Sequence, residues 1–378
     1  MHPRLQSKRQ AENHVRLLCS LGLDWRLLMP DLFSALRAVV PFTQGALVWY
    51  NAQLQGQDGI SDWHFPGEEA VNALLITEFY QKNRMLELFL SGAEILQLPS
   101  ISRAEQWLRG SRRDYLSHDI YQQVIRPSQT HHHLNLRLAL CNDLMAVLTI
   151  NRPVGEPDFS ATEMQLLEYL LPFLSFAVSQ PEANNNDTWA DAEQGLLLFD
   201  RGGVVHYLDK TAENIVDYAL ERRMQSRNDC APQTRNPWLT CILKKLAAQL
   251  EAVRCGNPDA LPAIIRQRNC WGQYEFRGRW LQANQPGAVL LYAANLYRQI
   301  PLPLKLAFSL NGMQLSLRES QVALAIALGE THNKIAAKLH ISERTVVGHT
   351  QNIYQKLAVP NRVELLAMLL QRNSMGSD

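Results

Sequence analysis

The chain has 378 residues, too long for one small core, and a prior of roughly 150 residues per domain gives two or three domains. Hydrophobic residues at 46%, charged residues at 19% and a net charge of +1 describe an ordinary globular protein and remove any electrostatic argument from the chain as a whole. No apolar run reaches the ~20 residues of a membrane span, the polar opening MHPRLQSKRQAENH is no signal peptide, and six scattered cysteines without a C-x-x-C pair read as reduced thiols of a cytoplasmic protein.

In chain order, PDLFSALRAVVPF (30–42) reads as a helix and GALVWYNA (45–52) as a strand. HHLNLRLAL (132–140) and LMAVLTINR (144–152) are β-type runs joined by a turn-rich CND, the pattern of a hairpin. DFSATEMQLLEYLLPFLSFAVSQ (158–180) opens with Ser160 and Glu163 at capping-box spacing and continues with helical period. These elements make an α+β domain over 1–180. The polar stretch PEANNNDT (181–188) is the best linker in the chain. A second α+β domain over 189–300 follows. GLLLFDRGGVVHYLDKTAENIVDYAL (195–220) gives strand, turn, strand and helix; helical pieces lie around Trp238 to Val253; strands return in GQYEFRGRWLQA and AVLLYAANL. No internal repeat is evident.

Several residues in these two domains invite a ligand reading. His131 and His133 share one strand face and His118 lies upstream, but no fourth metal ligand stands at recognisable spacing, and an ordinary strand edge is the reading adopted. His206 is read as structural. Trp49, Trp63, Trp107 and Trp280 are read as core residues rather than the lining of a cavity. No nucleophile, acid/base pair or metal cluster is found, so the chain is read as non-enzymatic, with no cofactor or metal.

The last segment, 312–374, is the most legible. Ser316 and Glu319 repeat the S-x-x-E box at the start of a helix that Gly329 ends. Thr331 caps a second helix with Ile335, Ala336 and Leu339 inward. Ser342 caps a third, in which Val346, His349, Ile353 and Leu357 form one inward stripe. A fourth begins near Arg362 and buries Val363, Leu366 and Leu370. The third helix turns Arg344, Val347, Gly348, Gln351 and Gln355 outward, a face without an acid. Mid-helix glycine costs about 1 kcal/mol relative to alanine, and its missing side chain lets another molecule approach the backbone. Between Ser316 and Arg372, seven Lys or Arg stand against four Glu, +3 locally, favouring an anionic partner. Two helices joined by a short turn, the second exposing such a face, make a helix-turn-helix. With its own caps and stripes, the segment is expected to fold by itself.

LSLRESQVALAIALGETHNKIAAKLHISERTVVGHTQNIYQKLAVPNRVELL closely resembles the LuxR-type (GerE) DNA-binding domain of bacterial transcriptional regulators. The landmarks are Leu315, Arg318-Glu319, Gly329, Ile335-Ala336, Leu339, Ser342, Thr345-Val346, His349, Ile353, Lys356-Leu357 and Asn361-Arg362. The resemblance implies double-stranded DNA as partner and the helix from Ser342 to Leu357 in the major groove. Val347, Gly348, Gln351 and Gln355 then read bases, and Lys334, Lys338, Ser342, Arg344, Thr345, Lys356 and Arg362 hold phosphates. Family members commonly carry Lys where Val347 stands, and often Lys-Glu at Asn333-Lys334. Leu366, Leu369 and Leu370 exceed what one small core needs and are read as the contact of a homodimer. RNA polymerase is a further expected partner.

The two front domains resemble a GAF-like domain, through TINRPVGEPDFSATEMQLLEYLLPFLSFAV, and a PAS-like domain, through GLLLFDRGGVVHYLDKTAENIV, in which Asp209-Lys210-Thr211-Ala212 replaces the usual Asn-Pro-x-Ala. The expected fold class is therefore α+β multidomain: two sensor-like α+β domains, GAF-like and PAS-like, then an all-α four-helix LuxR-type helix-turn-helix domain. The front domains are expected to take a small-molecule signal; the alternative is that they serve only dimerisation or protein contact.

Overall fold

The structure, a computed structural model, describes residues 3–62, 68–141, 143–179, 188–220, 235–269, 271–281 and 290–371. Trp63 and most of the 181–188 linker lie outside the described residues. Those described form two compact units, one of residues 3–179 with 306–371 and one of residues 188–305.

The first unit opens with α1 (Pro3–Cys19) and α2 (Trp25–Val39), then β1 (Gln44–Tyr50) and β2 (Gly56–Ser61). Between 68 and 125 lie α3 (Glu68–Leu74), a π-helical turn (Leu75–Tyr80), α4 (Met85–Leu88), α5 (Gly92–Ile95), β3 (Ile101–Arg103), a 3₁₀ turn (Ala104–Trp107), α6 (Arg112–Ser117) and a second π-helical turn (Tyr121–Ile125). β4 (Thr130–Cys141), β5 (Leu144–Pro153) and α7 (Ala161–Val178) complete the domain. The helix expected from Pro30 begins five residues earlier, because the Asp24 carboxylate accepts from the Arg26 N–H and caps it there; Pro30 lies in its interior. The expected β4–β5 hairpin forms, and α7 carries both bonds of the Ser160–Glu163 capping box. Arg152 extends that corner, pairing with Glu163 at 2.6 Å. All strand pairs are antiparallel, in the order β2-β1-β5-β4-β3. One sheet face buries Leu47, Leu148 and Leu136 in a cross-strand row, and α7 packs on β4.

The second unit runs β6 (Trp189–Phe199), β7 (Val205–Leu208), α8 (Lys210–Ala219), α9 (Arg235–Arg254), β8 (Ile264–Asn269), β9 (Gly272–Trp280) and β10 (Tyr292–Pro301). Its antiparallel order, β7-β6-β10-β9-β8, is that of the first sheet, a topological repeat that the sequence does not display. Asp209 explains the departure from Asn-Pro-x-Ala: its carboxylate accepts from the Ala212 N–H at 2.6 Å and caps α8. Helix and sheet meet closely there, since a side chain at Gly195 would collide with the Ala212 backbone. Trp49 is buried as expected; Trp107 is buried too but lines a cavity of the first unit, against expectation, and Trp280, near a strand end, is exposed.

After α10 (Leu302–Leu310) come the four expected helices, α11 (Leu317–Ala327), α12 (His332–Leu339), α13 (Glu343–Leu357) and α14 (Arg362–Gln371). Their core is Val322, Ile335, Val346, Ile353, Leu365 and Leu369, all wholly buried. Ser316 and Glu319 form both bonds of their capping box. Gly329, at φ +90°, ends α11 in a Schellman turn, its N–H bonding Ile326 O and that of Glu330 bonding Ala325 O. Six consecutive residues, Val322 to Ala327, are buried, so α11 is covered on every side, and α1 is among the elements that touch it. The intact chain is therefore the proper object for measurement. No helix among the described residues is long and apolar enough to cross a membrane.

Candidate nucleic-acid interface

α12 ends in a left-handed His340 (φ 53°), and the Ile341 N–H returns to Ala336 O at 3.0 Å. Ser342 then caps α13, accepting from the Thr345 N–H at 3.1 Å, while the two hydroxyls bond each other at 2.7 Å. Three residues thus turn one helix into the next, leaving the first N–H groups of α13 and both hydroxyls at an exposed helix N-terminus suited to phosphate.

Val346, Thr350 and Ile353 face inward. Thr350 was not anticipated: its hydroxyl donates to Val346 O at 2.8 Å, satisfying itself inside the core, and His349 is left half-buried at the edge of the stripe. Arg344, Thr345, Gln351 and Gln355 are exposed, Val347 is 37% exposed, and Gly348 is half-exposed among them. A methyl group on Gly348 would meet nothing within 4 Å. Among the described residues nothing calls for that glycine.

The expected phosphate ligands separate. Lys334 and Arg344 are exposed, with no side-chain hydrogen bond or ion pair among the described residues. Lys338 pairs with Glu330 at 3.0 Å on the surface, worth little. Arg362 lays its guanidinium over Gly329 at the end of α11. Lys356 has an unanticipated partner: its ammonium donates to both oxygens of buried Glu319 at 2.7 and 2.8 Å, so its charge is shared with an internal carboxylate. Burial alone would raise the Glu319 carboxyl, but hydrogen bonds from Lys356 and Ser316 hold it below its ordinary value.

The dimer residues are corrected. Leu369 is 0% exposed, packed with Leu365 one turn earlier in the domain core, and is unavailable to a second copy. Leu366 is half-buried, Leu370 is 38% exposed, and Val363, expected inside, is 73% exposed. Among the front-domain histidines, a bulge between Thr130 and His132 sets the His131 and His132 rings edge to face at 4.7 Å, while His118 approaches Glu87 and His206 approaches Asp200.

Residues 313–369 match the bacterial regulatory proteins of the luxR family. Over 63 residues the chain is 40% identical to the uncharacterized transcriptional regulatory protein YhcZ of Bacillus subtilis, covering 17% of this chain and 29% of that protein. Over 53 residues it is 38% identical to the CsgBAC operon transcriptional regulatory protein of Escherichia coli, covering 14% and 24%. The chain thus spans less than a third of the length of these relatives. The crystal structure of Escherichia coli SdiA aligns with 93% of this chain and 92% of its own at 10% identity, with a TM-score of 0.29, too low to support a common fold. The C-terminal segment is a luxR-family helix-turn-helix domain.

Proposed function

We propose that the chain is a transcription regulator that binds double-stranded DNA as a homodimer, with the outward face of α13 in the major groove. The observation that carries this reading is the acid-free exposed face centred on Gly348, a glycine with no internal reason to be there. Arg344, in the first turn of α13, and Lys334 reach phosphates; Val347 offers methyls to thymine, and Gln351 and Gln355 offer amides to adenine. Leu366 and Leu370, with Val363 beside them, form the α14 part of the dimer contact. Contact with RNA polymerase belongs to the same reading.

The test is binding of the full-length protein to genomic fragments as a function of salt. Affinity falls steeply with rising salt through counterion release, and Arg344→Ala weakens all sequences about equally and lowers the salt slope by roughly one. Absent or salt-independent binding overturns the proposal. For the dimer, Leu370→Glu will reduce affinity for a site with two half-sites far more than for one half-site; equal loss on both removes α14 from the contact.

The front domains sense a small molecule. What favours this over a purely dimerising role is a cavity of about 140 Å³ on one face of the β1–β5 sheet.

A further inference from the structure

We propose that this cavity is a binding site for a neutral single-ring aromatic compound carrying one hydrogen-bond donor, of the phenol class, held by Asn151. The inference rests on the sensing reading and names its ligand chemistry. The face of the sheet opposite the Leu47–Leu148 row grades from apolar to polar along the strands: Val48 pairs with Val147, Thr149 pairs with Ala46 on one side and Asn135 on the other, and Asn151 pairs with His133 beyond them. The helical segment over this face supplies Leu75, Met85, Phe89, Trp107, Ile120 and Val124 as the facing wall. Among the described residues no Asp, Glu, Lys or Arg lines the cavity, so an ionic ligand would lie there without a counter-ion. The volume sets the size, since a dry cavity of about 150 Å³ admits benzene.

The polar groups narrow the choice. The Thr149 hydroxyl donates to Asn135 Oδ1 at 2.9 Å, the Ser128 and Thr130 hydroxyls bond each other at 2.9 Å, the Tyr50 and Tyr80 hydroxyls do so at 3.3 Å, and the Trp107 N–H donates to Ser102 at 2.8 Å. Those groups serve one another. Asn151 is 2% exposed; among the described residues its Oδ1 has no hydrogen bond of good geometry, and the adjacent His133 ring offers it only a weak one, which favours a protonated ring. Burial outweighs that effect and lowers the imidazole to about 4, so His133 is neutral at physiological pH. An acceptor in an apolar, uncharged cavity calls for a donor, which a hydroxyl on one edge of an aromatic ring provides while the rest of the ring fills the Val48–Val147 end.

The experiment is calorimetric titration of the full-length wild type and of Asn151→Leu, close in size to the original, with phenol and with fluorobenzene, which is similar in shape but has no donor. The substitution is expected to weaken phenol about tenfold and to leave fluorobenzene unchanged or tighter. Equal changes for both compounds, or no binding of phenol by the wild type, overturn the assignment. Should the variant not fold, a crystal of the wild type with phenol decides it: the phenol oxygen lies about 2.8 Å from Asn151 Oδ1, and a ring bound elsewhere overturns the proposal. Phenol bound in this way without effect on DNA affinity keeps the site and removes the sensing reading; a protein that binds DNA but no phenol loses the site and remains a regulator.

Discussion

Leu369→Ala will destabilise the C-terminal helical domain by about 2–5 kcal/mol, the usual cost of truncating a wholly buried leucine. Leu365 and Leu369 lie one turn apart on α14, both at 0% exposure, and close the core against which α11 packs. Leu370, one position further, is 38% exposed, and its replacement should leave stability within about 0.5 kcal/mol. Because the chain has several domains, global melting is a poor probe. Amide hydrogen exchange in α11 to α14 reads the domain directly. Faster exchange for Leu369→Ala with little change for Leu370→Ala is the expected outcome; the reverse would restore Leu369 to the dimer contact.

Lys356→Met will cost about 2–3 kcal/mol, below the 3–5 kcal/mol of a fully buried pair because Lys356 itself is nearly half exposed. The loss leaves Glu319 buried without its cation. The dependence on pH has a definite sign. In the wild type the Glu319 carboxyl is depressed, so its stabilisation is present above the unfolded value, about 4.3, and is lost as pH falls through the lower folded value. In the variant, burial without Lys356 pushes the carboxyl up, so the deficit is greatest at neutral pH and shrinks on acidification. Denaturant unfolding of the C-terminal helices at pH 7 and pH 4 checks this; a deficit independent of pH would refute it. A folded Glu319→Gln, Lys356→Met double variant is expected to keep the wild-type salt slope for DNA; a slope lowered by roughly one would make Lys356 a phosphate ligand as well.

The four C-terminal helices were legible because their ends are written locally, in Ser316–Glu319, Gly329, Thr331 and Ser342, within three residues of what each one caps. The outward, acid-free face of α13 was legible for the same reason, being a property of a single helix. The Lys356–Glu319 pair was missed because its partners lie 37 residues apart in sequence. Leu369 was misread because a leucine-rich helix shows a broad apolar arc: Leu365, Leu366, Leu369 and Leu370 are equally apolar, and only the packed domain selects which two it buries. Thr350 was missed because a hydroxyl satisfied by its own helix looks polar in sequence.

In the front domains, β1, β4, β5, β6 and β10 stand out as runs of apolar and β-branched residues. β8, Ile264 to Asn269, does not, because most of its side chains are polar and none is fully buried. The segment from 68 to 125 is built of helical pieces of seven residues or fewer and π-helical turns, too short to establish a period. The cavity was hidden for that reason, since half of its wall comes from this segment. The shared strand order of the two sheets was equally hidden, because topology is fixed by which strands pair and not by which residues recur.

The most direct test of the DNA-binding face is Gly348→Ala in the full-length protein, measured as affinity for a selected DNA site alongside domain stability. Nothing among the described residues would touch the added methyl group, and helix propensity predicts a gain of up to about 1 kcal/mol in stability. If α13 lies in the major groove with its backbone close to DNA at Gly348, the variant will be more stable and yet bind less tightly. A variant that is more stable and binds equally well would contradict that placement.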